Sequence, residues 1–450
     1  MRVNGNDYSV KRGLKSFWLF CSVFFLFVGP VINFFNSIYL NSTHLYFSFF
    51  FLIVFLIELI SDKKLNKTFY LLVVFWIVPF SYFLLVTMKI GDLSGFNSVV
   101  FSVLAIIVSY TLADFFYKVK GVDSLEYFFK VCFFCVVIWG SVIMISYLFP
   151  SFRSVMDLFF YRDYSRGDHL VLLRVPAFHP TGGDGASMNL ALLILISSGY
   201  LYFLKNLKKF LAGCILILCL FASLLSARTG FVLCVPLLLI SFLLSMRTSV
   251  LIKLIVLFCF IMLFILLFLS SIPFIESYKY DVISDFGYEH PLSRSLIMLD
   301  QFSSGGVSST TAGTLFNMIV LPNDAFDLVF GSGDFSRFVP SANQVRGSDV
   351  GYIRILNGAG LIGSILIYAF FLYPLLMLFL MYRRFINVKL RDFYRFFVIL
   401  FSLVTLFLFL GNFKIIYLLS SYANLMFFSL FFILILQFYK AEKYRVNDTL

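Results

Sequence analysis

The run GYIRILNGAGLIGSILIYAFFLYPLLMLFLM (351–381) decides the fold of this chain. Arg354 is the only charged residue in this run. The run is also longer than the roughly 20 apolar residues that a helix needs to cross a bilayer. The run therefore predicts a membrane-spanning helix. It follows a polar insert that begins at Glu276, so it marks the point where the chain returns to the membrane.

Similar apolar runs fill most of the rest of the chain. The sequence is 61% hydrophobic with a mean hydropathy of +0.97, which excludes an ordinary soluble protein. Twelve such runs occur, including 351–381. The other eleven are 17–35, 45–60, 68–88, 96–117, 131–149, 188–204, 210–226, 230–246, 250–275, 396–411 and 415–438. We interpret the run 17–35 as an uncleaved first span rather than as a signal peptide. The pattern predicts an all-α polytopic membrane protein, a single transmembrane helical domain (1–450) of about 12 transmembrane helices.

Lysine and arginine predict the orientation. With the N-terminus inside, about 23 of the 35 Lys and Arg fall on the cytoplasmic side and about 12 on the outer side. Both termini are then cytoplasmic, and the net charge of +12 needs no nucleic-acid partner. Two outer loops are enlarged, at 150–187 and 276–350, and their apolar patches are expected to fold against the lipid surface.

Several function classes lack their sequence signals. The chain has no phosphate-binding loop, no HExxH and no GxGxxG, and no soluble domain in which such a site would sit. These absences argue against an ATP-driven pump and against a transferase that uses nucleotide sugars. The seven cysteines all fall in apolar segments, where packing is the expected role.

The outer-face arginines are the first candidates for chemistry. A guanidinium binds two phosphate oxygens in a planar fork, so Arg174, Arg228 and Arg354, each close to a helix end, could form a diphosphate site. The alternative is that they extend to lipid headgroups or pair with loop carboxylates. Three arginines within the second loop are candidates for substrate binding under the same alternative: Arg294, Arg337 and Arg346.

A carboxylate and two histidines complete the candidate set. Asp349 precedes the tenth span, where it could serve as a base or bind an acceptor hydroxyl, or could cap the helix. His179 and His290 lie in the outer loops, as substrate-binding or general-base candidates or as solvated loop residues. We expect no metal and no cofactor.

At these residues the chain resembles the O-antigen polymerase (Wzy) family and, more distantly, the O-antigen ligases of the same superfamily. The resemblance rests on the spans, the two enlarged loops and three short motifs. The motifs are an S-x-R-T-G turn (Ser226 to Gly230), a G-x-G segment (Gly331, Gly333) and S-D-x-G-Y-x-R-x-L-x-x-x-G-x-x-G from Ser348 to Gly363.

The resemblance implies a GT-C-like, metal-independent glycosyltransferase of the bacterial inner membrane. Such an enzyme joins undecaprenyl-diphosphate-linked oligosaccharide repeat units at the periplasmic face into O-antigen or a related surface polysaccharide. Arg174, Arg228 and Asp349 would be its catalytic residues, and a protein that regulates chain length a further partner. The ligases carry a His-Asn-type motif where this chain has Ser348-Asp349, which favours a polymerase. A ligase and a transporter or flippase of lipid-linked oligosaccharide remain alternatives.

Overall fold

The described part of the protein is almost entirely helical. The computed structural model describes residues 5–33, 42–61, 67–89, 94–161, 175, 177–179, 183–245, 284, 319, 321–322, 324–335, 338–341, 344–347, 350–384 and 391–448. Its helices are α1 (Gly5–Val23, continued by a π-turn Phe24–Val28), α2 (Thr43–Ile60), α3 (Lys67–Met88), α4 (Ser94–Lys120), α5 (Ser124–Leu148), α6 (Pro150–Phe159), α7 (Asp184–Ser197, continued by a 3₁₀ segment Ser198–Phe203), α8 (Asn206–Ser226), α9 (Arg228–Ser245), α10 (Ala325–Phe330), α11 (Gly351–Arg384), α12 (Arg391–Gly411) and α13 (Ser421–Asp448).

Eight helical stretches within the described ranges have the length and hydropathy to cross a membrane, which confirms a multi-pass membrane protein. One of them, Val99–Leu148, contains both α4 and α5, joined by a 3₁₀ turn at Gly121–Asp123. Two shorter apolar helices, Gly13–Val28 and Thr229–Ser245, coincide with the first and eighth predicted spans. The ninth predicted span, 250–275, lies outside the described residues.

Membrane helices that follow one another in the sequence alternate in direction, so the bundle has two distinct ends. At one end, which we call the basic end, Lys118 of α4 pairs with Glu58 of α2, and Lys120 donates to Ser16 of α1 at 2.7 Å. The predicted cytoplasmic links join helices there. At the other end, the loop end, the last helix α13 begins beside the exit of α1, where the Tyr422 hydroxyl donates to Gly29 at 3.4 Å. The first enlarged loop leaves α5 and returns to α7 at the loop end, and the second returns to α11 there.

Burial separates central from peripheral helices. In the most apolar part of each membrane-crossing helix, 83% of the residues are buried in α7 and 78% in α13, but only 22% in α2 and 33% in α3. A helix whose apolar surface is covered by protein lies inside a bundle, whereas one that exposes it faces lipid. Helices α7 and α13 therefore form the centre of the bundle, and the loop-end half of α7 lies within that centre.

Small polar side chains join the central helices. Asn424 of α13 donates to the Ser102 hydroxyl of α4 at 2.8 Å, and a second pair, Ser429 and Ser109, meets at 3.1 Å further along both helices. Small residues allow helices in a membrane to approach closely, and hydrogen bonds between them stabilise the contact. The resulting α4–α13 contact fixes the position of α13 at the loop end.

The second loop contains two elements that were not predicted from the sequence, the short helix α10 and a β-hairpin. Strands β1 (Phe338–Ser341) and β2 (Gln344–Gly347) form an antiparallel hairpin in which Val339 pairs with Arg346. The hairpin comes directly before the return of the chain into α11. Most of the rest of loop 276–350 lies outside the described residues.

Candidate functional site

The loop-end half of α7 contacts the S-x-R-T-G turn directly and reaches the start of α11 through the link between α12 and α13. Its first residue, Asp184, accepts a hydrogen bond at 2.6 Å from Thr229 in the first turn of α9. Asn189, further along α7, accepts from the Tyr417 hydroxyl at 3.0 Å. These bonds tie α7 to the S-x-R-T-G turn on one side and to the link between α12 and α13 on the other.

The S-x-R-T-G turn is fixed by its own residues. The Ser226 hydroxyl donates to the Val175 carbonyl at 2.7 Å, and the Val175 amide donates to Leu225 at 3.2 Å. A Cβ at Gly230 would meet the Ser187 hydroxyl at 2.6 Å, so the close approach of α9 to α7 requires glycine. Three of the motif residues therefore have structural roles, and together they hold the backbone on either side of Arg228.

The same contacts bring the chain next to Arg174 up to Arg228. Val175 follows Arg174 directly, and it is bonded to Leu225 and Ser226, two residues before Arg228. The side chain of Arg228 and the whole of Arg174 lie outside the description. The described backbone thus brings Val175, the neighbour of Arg174, to the joint that precedes Arg228.

The next residues, 177–179, pass from this joint towards the ends of α1 and α13. Ala177 has a φ of +47°, a conformation that is uncommon for a residue other than glycine. The Phe178 carbonyl accepts from the Val31 amide at 3.2 Å, and the Phe178 ring packs edge-on against Phe24 at 5.6 Å. Bonds at Val175 and Phe178 therefore hold the chain on either side of the strained Ala177, and such strain is associated with binding sites.

His179 lies at the end of this segment beside Tyr422. It is half-buried, and its ring centroid lies 6.4 Å from that of Tyr422. On its other side Tyr422 packs against the ring of His44, at 4.1 Å between centroids. Two histidines and a tyrosine are thus collected at the loop end from residues far apart in the sequence.

His44 has a structural role in this cluster. It is 3% exposed, and its Nδ1 hydrogen bonds with the Leu26 carbonyl in the π-turn at 2.8 Å, which corresponds to a donating Nδ1–H. Gly29 ends the π-turn with a φ of +54°, and a Cβ there would meet the Tyr422 hydroxyl at 2.9 Å. The exit of α1 is therefore shaped to receive Tyr422, and Tyr422 in turn lies against His179.

The link between α12 and α13 connects α7 to the start of α11. Asn412 is fully buried, and its side-chain oxygen accepts from the Tyr417 amide at 3.0 Å. Gly351, the first residue of α11, packs so closely on this link that a Cβ would meet the Asn412 carbonyl at 2.7 Å. Asp349 is two residues earlier and lies outside the described residues, but the helix that it precedes begins beside this buried link.

The G-x-G segment fills a break in α11. At Gly360 the φ is +65° and the ψ is −174°, which interrupts the helix. Two amides of the segment donate to carbonyls that the break leaves open, Ser332 to Asn357 at 2.8 Å and Gly333 to Gly358 at 2.9 Å. Non-helical backbone at membrane depth requires such partners.

Arg354, predicted as a substrate-binding residue, takes part in this arrangement. Its Nη2 donates to the Phe335 carbonyl at 3.0 Å, and its Nε lies 3.3 Å from the same oxygen. The bond holds the end of the G-x-G segment against α11. Arg354 therefore stabilises the start of α11 by binding the Phe335 carbonyl. Its substrate-binding role stays a prediction.

The other predicted site residues lie outside the description. These are Arg294, Arg337, His290 and, for its side chain, Arg346. Within the described part of the chain, no group of three or more His, Cys, Asp or Glu side chains could hold a metal ion. The residues that sequence reasoning missed are Tyr422, His44, Asn189 and Tyr417, and their contacts cross more than one hundred positions of sequence.

No protein-family model matches this chain, and neither a curated protein nor a solved structure is significantly similar to it.

Proposed function

We propose that the protein is a glycosyltransferase that polymerises undecaprenyl-diphosphate-linked oligosaccharide repeat units into a surface polysaccharide such as O-antigen. The loop end would face the periplasm of the bacterial inner membrane, with both termini in the cytoplasm. The sequence motifs supply the family resemblance on which this proposal is based. The observation that supports it best is that the chain flanking Arg174 and Arg228 is brought together at one joint beside α7.

The chemistry of the substrate suits this joint. The periplasm supplies neither nucleotide sugars nor ATP, so the leaving group must arrive with the substrate, as a lipid diphosphate does. In the proposed step an acceptor hydroxyl oxygen forms a bond to the anomeric carbon of the growing chain. The bond from that carbon to the diphosphate oxygen breaks, and its electron pair leaves with the diphosphate. Arg174 and Arg228 would stabilise the charge that develops there.

The acceptor hydroxyl must also lose a proton. Asp349 and His179 are the candidates, because the start of α11 and the segment 177–179 both lie at the loop end around α7. A histidine imidazole can accept and release a proton near neutral pH, which suits a general base. Tyr422 would hold the imidazole in place from the side of α13.

In-frame deletion of the coding region tests the function, with surface lipopolysaccharide separated on a gel. We expect lipid core bearing a single repeat unit and no long ladder, because export and ligation survive the loss of a polymerase. Bare core with polymer accumulating on undecaprenyl diphosphate would instead identify a ligase. Bare core with single units held on the inner leaflet would identify a flippase.

Complementation with point variants then tests the site. We expect Arg228→Ala and Arg174→Ala to abolish the ladder, and Arg228→Lys to restore part of it, because lysine keeps the charge but lacks the planar fork. Arg391→Ala is the matched control, since Arg391 is an exposed arginine at the basic end. Immunoblotting checks that all variants reach the membrane in equal amounts. A normal ladder from both alanine variants would refute the proposed site.

One observation favours the flippase as a second candidate. Transporters often bind substrate at a discontinuous helix near the membrane midplane, and the break at Gly360 lies about 14 Å from the start of α11 at 1.5 Å per residue. In this protein, however, Ser332 and Gly333 occupy the carbonyls of the break, so those groups are engaged by protein. We therefore rank polymerisation first.

A further inference from the structure

Helix α6 (Pro150–Phe159) has three different sides. Met156 is buried against the bundle, and Phe152 packs beside it. At 3.6 residues per turn, Val155 and Phe159 share a second side, and Ser154 lies on a third. Phe159 remains 62% exposed and Val155 48%.

The exposed apolar side continues a stripe on the preceding helix. On α5 the exposed large side chains recur at helical spacing, along one face that ends at the junction with α6: Phe134, Ile138, Ile145, Leu148 and Phe149. In a membrane protein such a stripe faces acyl chains. Leu158 of α6 is 73% exposed, so α6 presents apolar surface directly after the end of this stripe in the sequence.

Both ends of α6 are fixed to the bundle. Phe149, extended at φ −124° and ψ 94°, turns the chain out of α5, and Pro150 begins α6. At the other end the Asn33 amide donates to the Phe159 carbonyl at 2.9 Å, and the Tyr161 amide donates to Val31 at 2.8 Å. The helix is therefore held against the loop end with one side towards lipid and one away from it.

We propose that α6 is an interfacial helix that docks on the bilayer itself. It lies in the headgroup region of the leaflet at the loop end, with Val155, Leu158 and Phe159 among the acyl chains and Ser154 towards water. A helix with separate core, lipid and water sides satisfies all three environments only at that boundary. This assignment does not depend on the proposed enzymatic activity.

The docked helix would set the depth of the candidate site. Val31 bonds to Tyr161 at the end of α6, and its amide also donates to Phe178, the neighbour of His179. A single residue thus joins the lipid-anchored helix to the strained segment of the site. The site would then lie at the bilayer surface, where the headgroup of a lipid-linked ligand is found.

Cysteine labelling in nanodiscs of phosphatidylethanolamine and phosphatidylglycerol tests the proposal. Phe159→Cys reports on the apolar side and Ser154→Cys is its matched control on the opposite side of the same helix. Each is reacted with a charged maleimide and with an apolar one. Peptide mass spectrometry separates the new thiol from the native cysteines, and size-exclusion chromatography confirms that each variant is folded.

We expect the charged maleimide to react at least about tenfold faster with Ser154→Cys than with Phe159→Cys, because a charged reagent is excluded from acyl chains. The apolar maleimide should also react fast with Ser154→Cys and slowly with Phe159→Cys, because a thiol among acyl chains does not ionise. Fast reaction of the charged reagent at both positions would place α6 in water and overturn the proposal. Slow reaction of both reagents at both positions would mean that protein covers the helix, which overturns it as well.

Discussion

Gly360→Ala is the sharpest test of the broken helix in α11. Gly360 combines a φ of +65° with a ψ of −174°, a region open almost only to glycine. A Cβ there would also meet the Val329 carbonyl at 2.5 Å and the Phe330 carbonyl carbon at 2.6 Å, both of them backbone atoms. The substitution must therefore strain the break and displace the segment that fills it.

The cost follows from these two effects. The strained backbone contributes about 1–3 kcal/mol, and losing the two amide bonds of Ser332 and Gly333 adds about 0.5–1.5 kcal/mol each, so destabilisation of about 2–6 kcal/mol is expected. Gly121→Ala is the matched control. Gly121 also has a positive φ, +59°, but nothing lies within 4 Å of its added Cβ, so only strain of about 1–2 kcal/mol applies.

Buried thiols provide the assay. Cys132, Cys135 and Cys234 are fully buried, so a maleimide that fluoresces on reaction reports their exposure as the detergent-solubilised protein unfolds with heat. We expect Gly360→Ala to melt well below Gly121→Ala, and Gly121→Ala slightly below the parent protein. If the two variants have the same melting midpoint, the clash at Gly360 does not destabilise the protein. The account of a segment packed into the break would then be wrong.

Three further predictions use the same melting assay. Tyr82→Phe removes a hydroxyl that bonds two carbonyls beside the break, at 2.8 and 3.1 Å, and should cost about 1–3 kcal/mol; an unchanged midpoint would show that the hydroxyl contributes nothing there. Lys89→Ala breaks an exposed ion pair with Asp327 and should change stability by less than about 1 kcal/mol, because solvent screens a surface ion pair. A large shift of the melting midpoint would contradict that reasoning. Gly29→Ala strains a φ of +54° and collides with the Tyr422 ring, and should destabilise more than Gly121→Ala; equal midpoints would mean that the ring moves freely.

The sequence predicted the helical, multi-pass architecture because the apolar runs are long and almost free of charge. Boundaries were less accurate where polar residues belong to helices. Helix α5 begins at Ser124 rather than at 131, since its first turns contain Glu126 and Lys130, which hydropathy assigns to a link. The last span was predicted from 415, but the chain forms a turn up to Ser420 because the Asn412 side chain accepts the amides of Tyr417 and Leu418.

The candidate site was predictable only in part. The turn around Arg228 is a local motif, so its residues stand out in the sequence. The cluster of His44, His179 and Tyr422 is assembled by the packing of α2 and α13, and no local pattern contains it. The aromatic residue at the start of the last span was visible in the sequence, but nothing there indicated that it would lie between two histidines.

The structure also separates two meanings of the short motifs. In the S-x-R-T-G turn, the hydroxyls of Ser226 and Thr229 donate hydrogen bonds to Val175 and Asp184, respectively. Gly230 allows α9 to approach α7 closely. Such residues explain why the turn has its shape, and they would be needed whatever the protein did. Arginine is a poor choice for shaping a tight turn at the end of an apolar helix, since its charge is costly near the membrane. The neighbours that fix the backbone around Arg228 are therefore compatible with the anion-binding role that we propose for it.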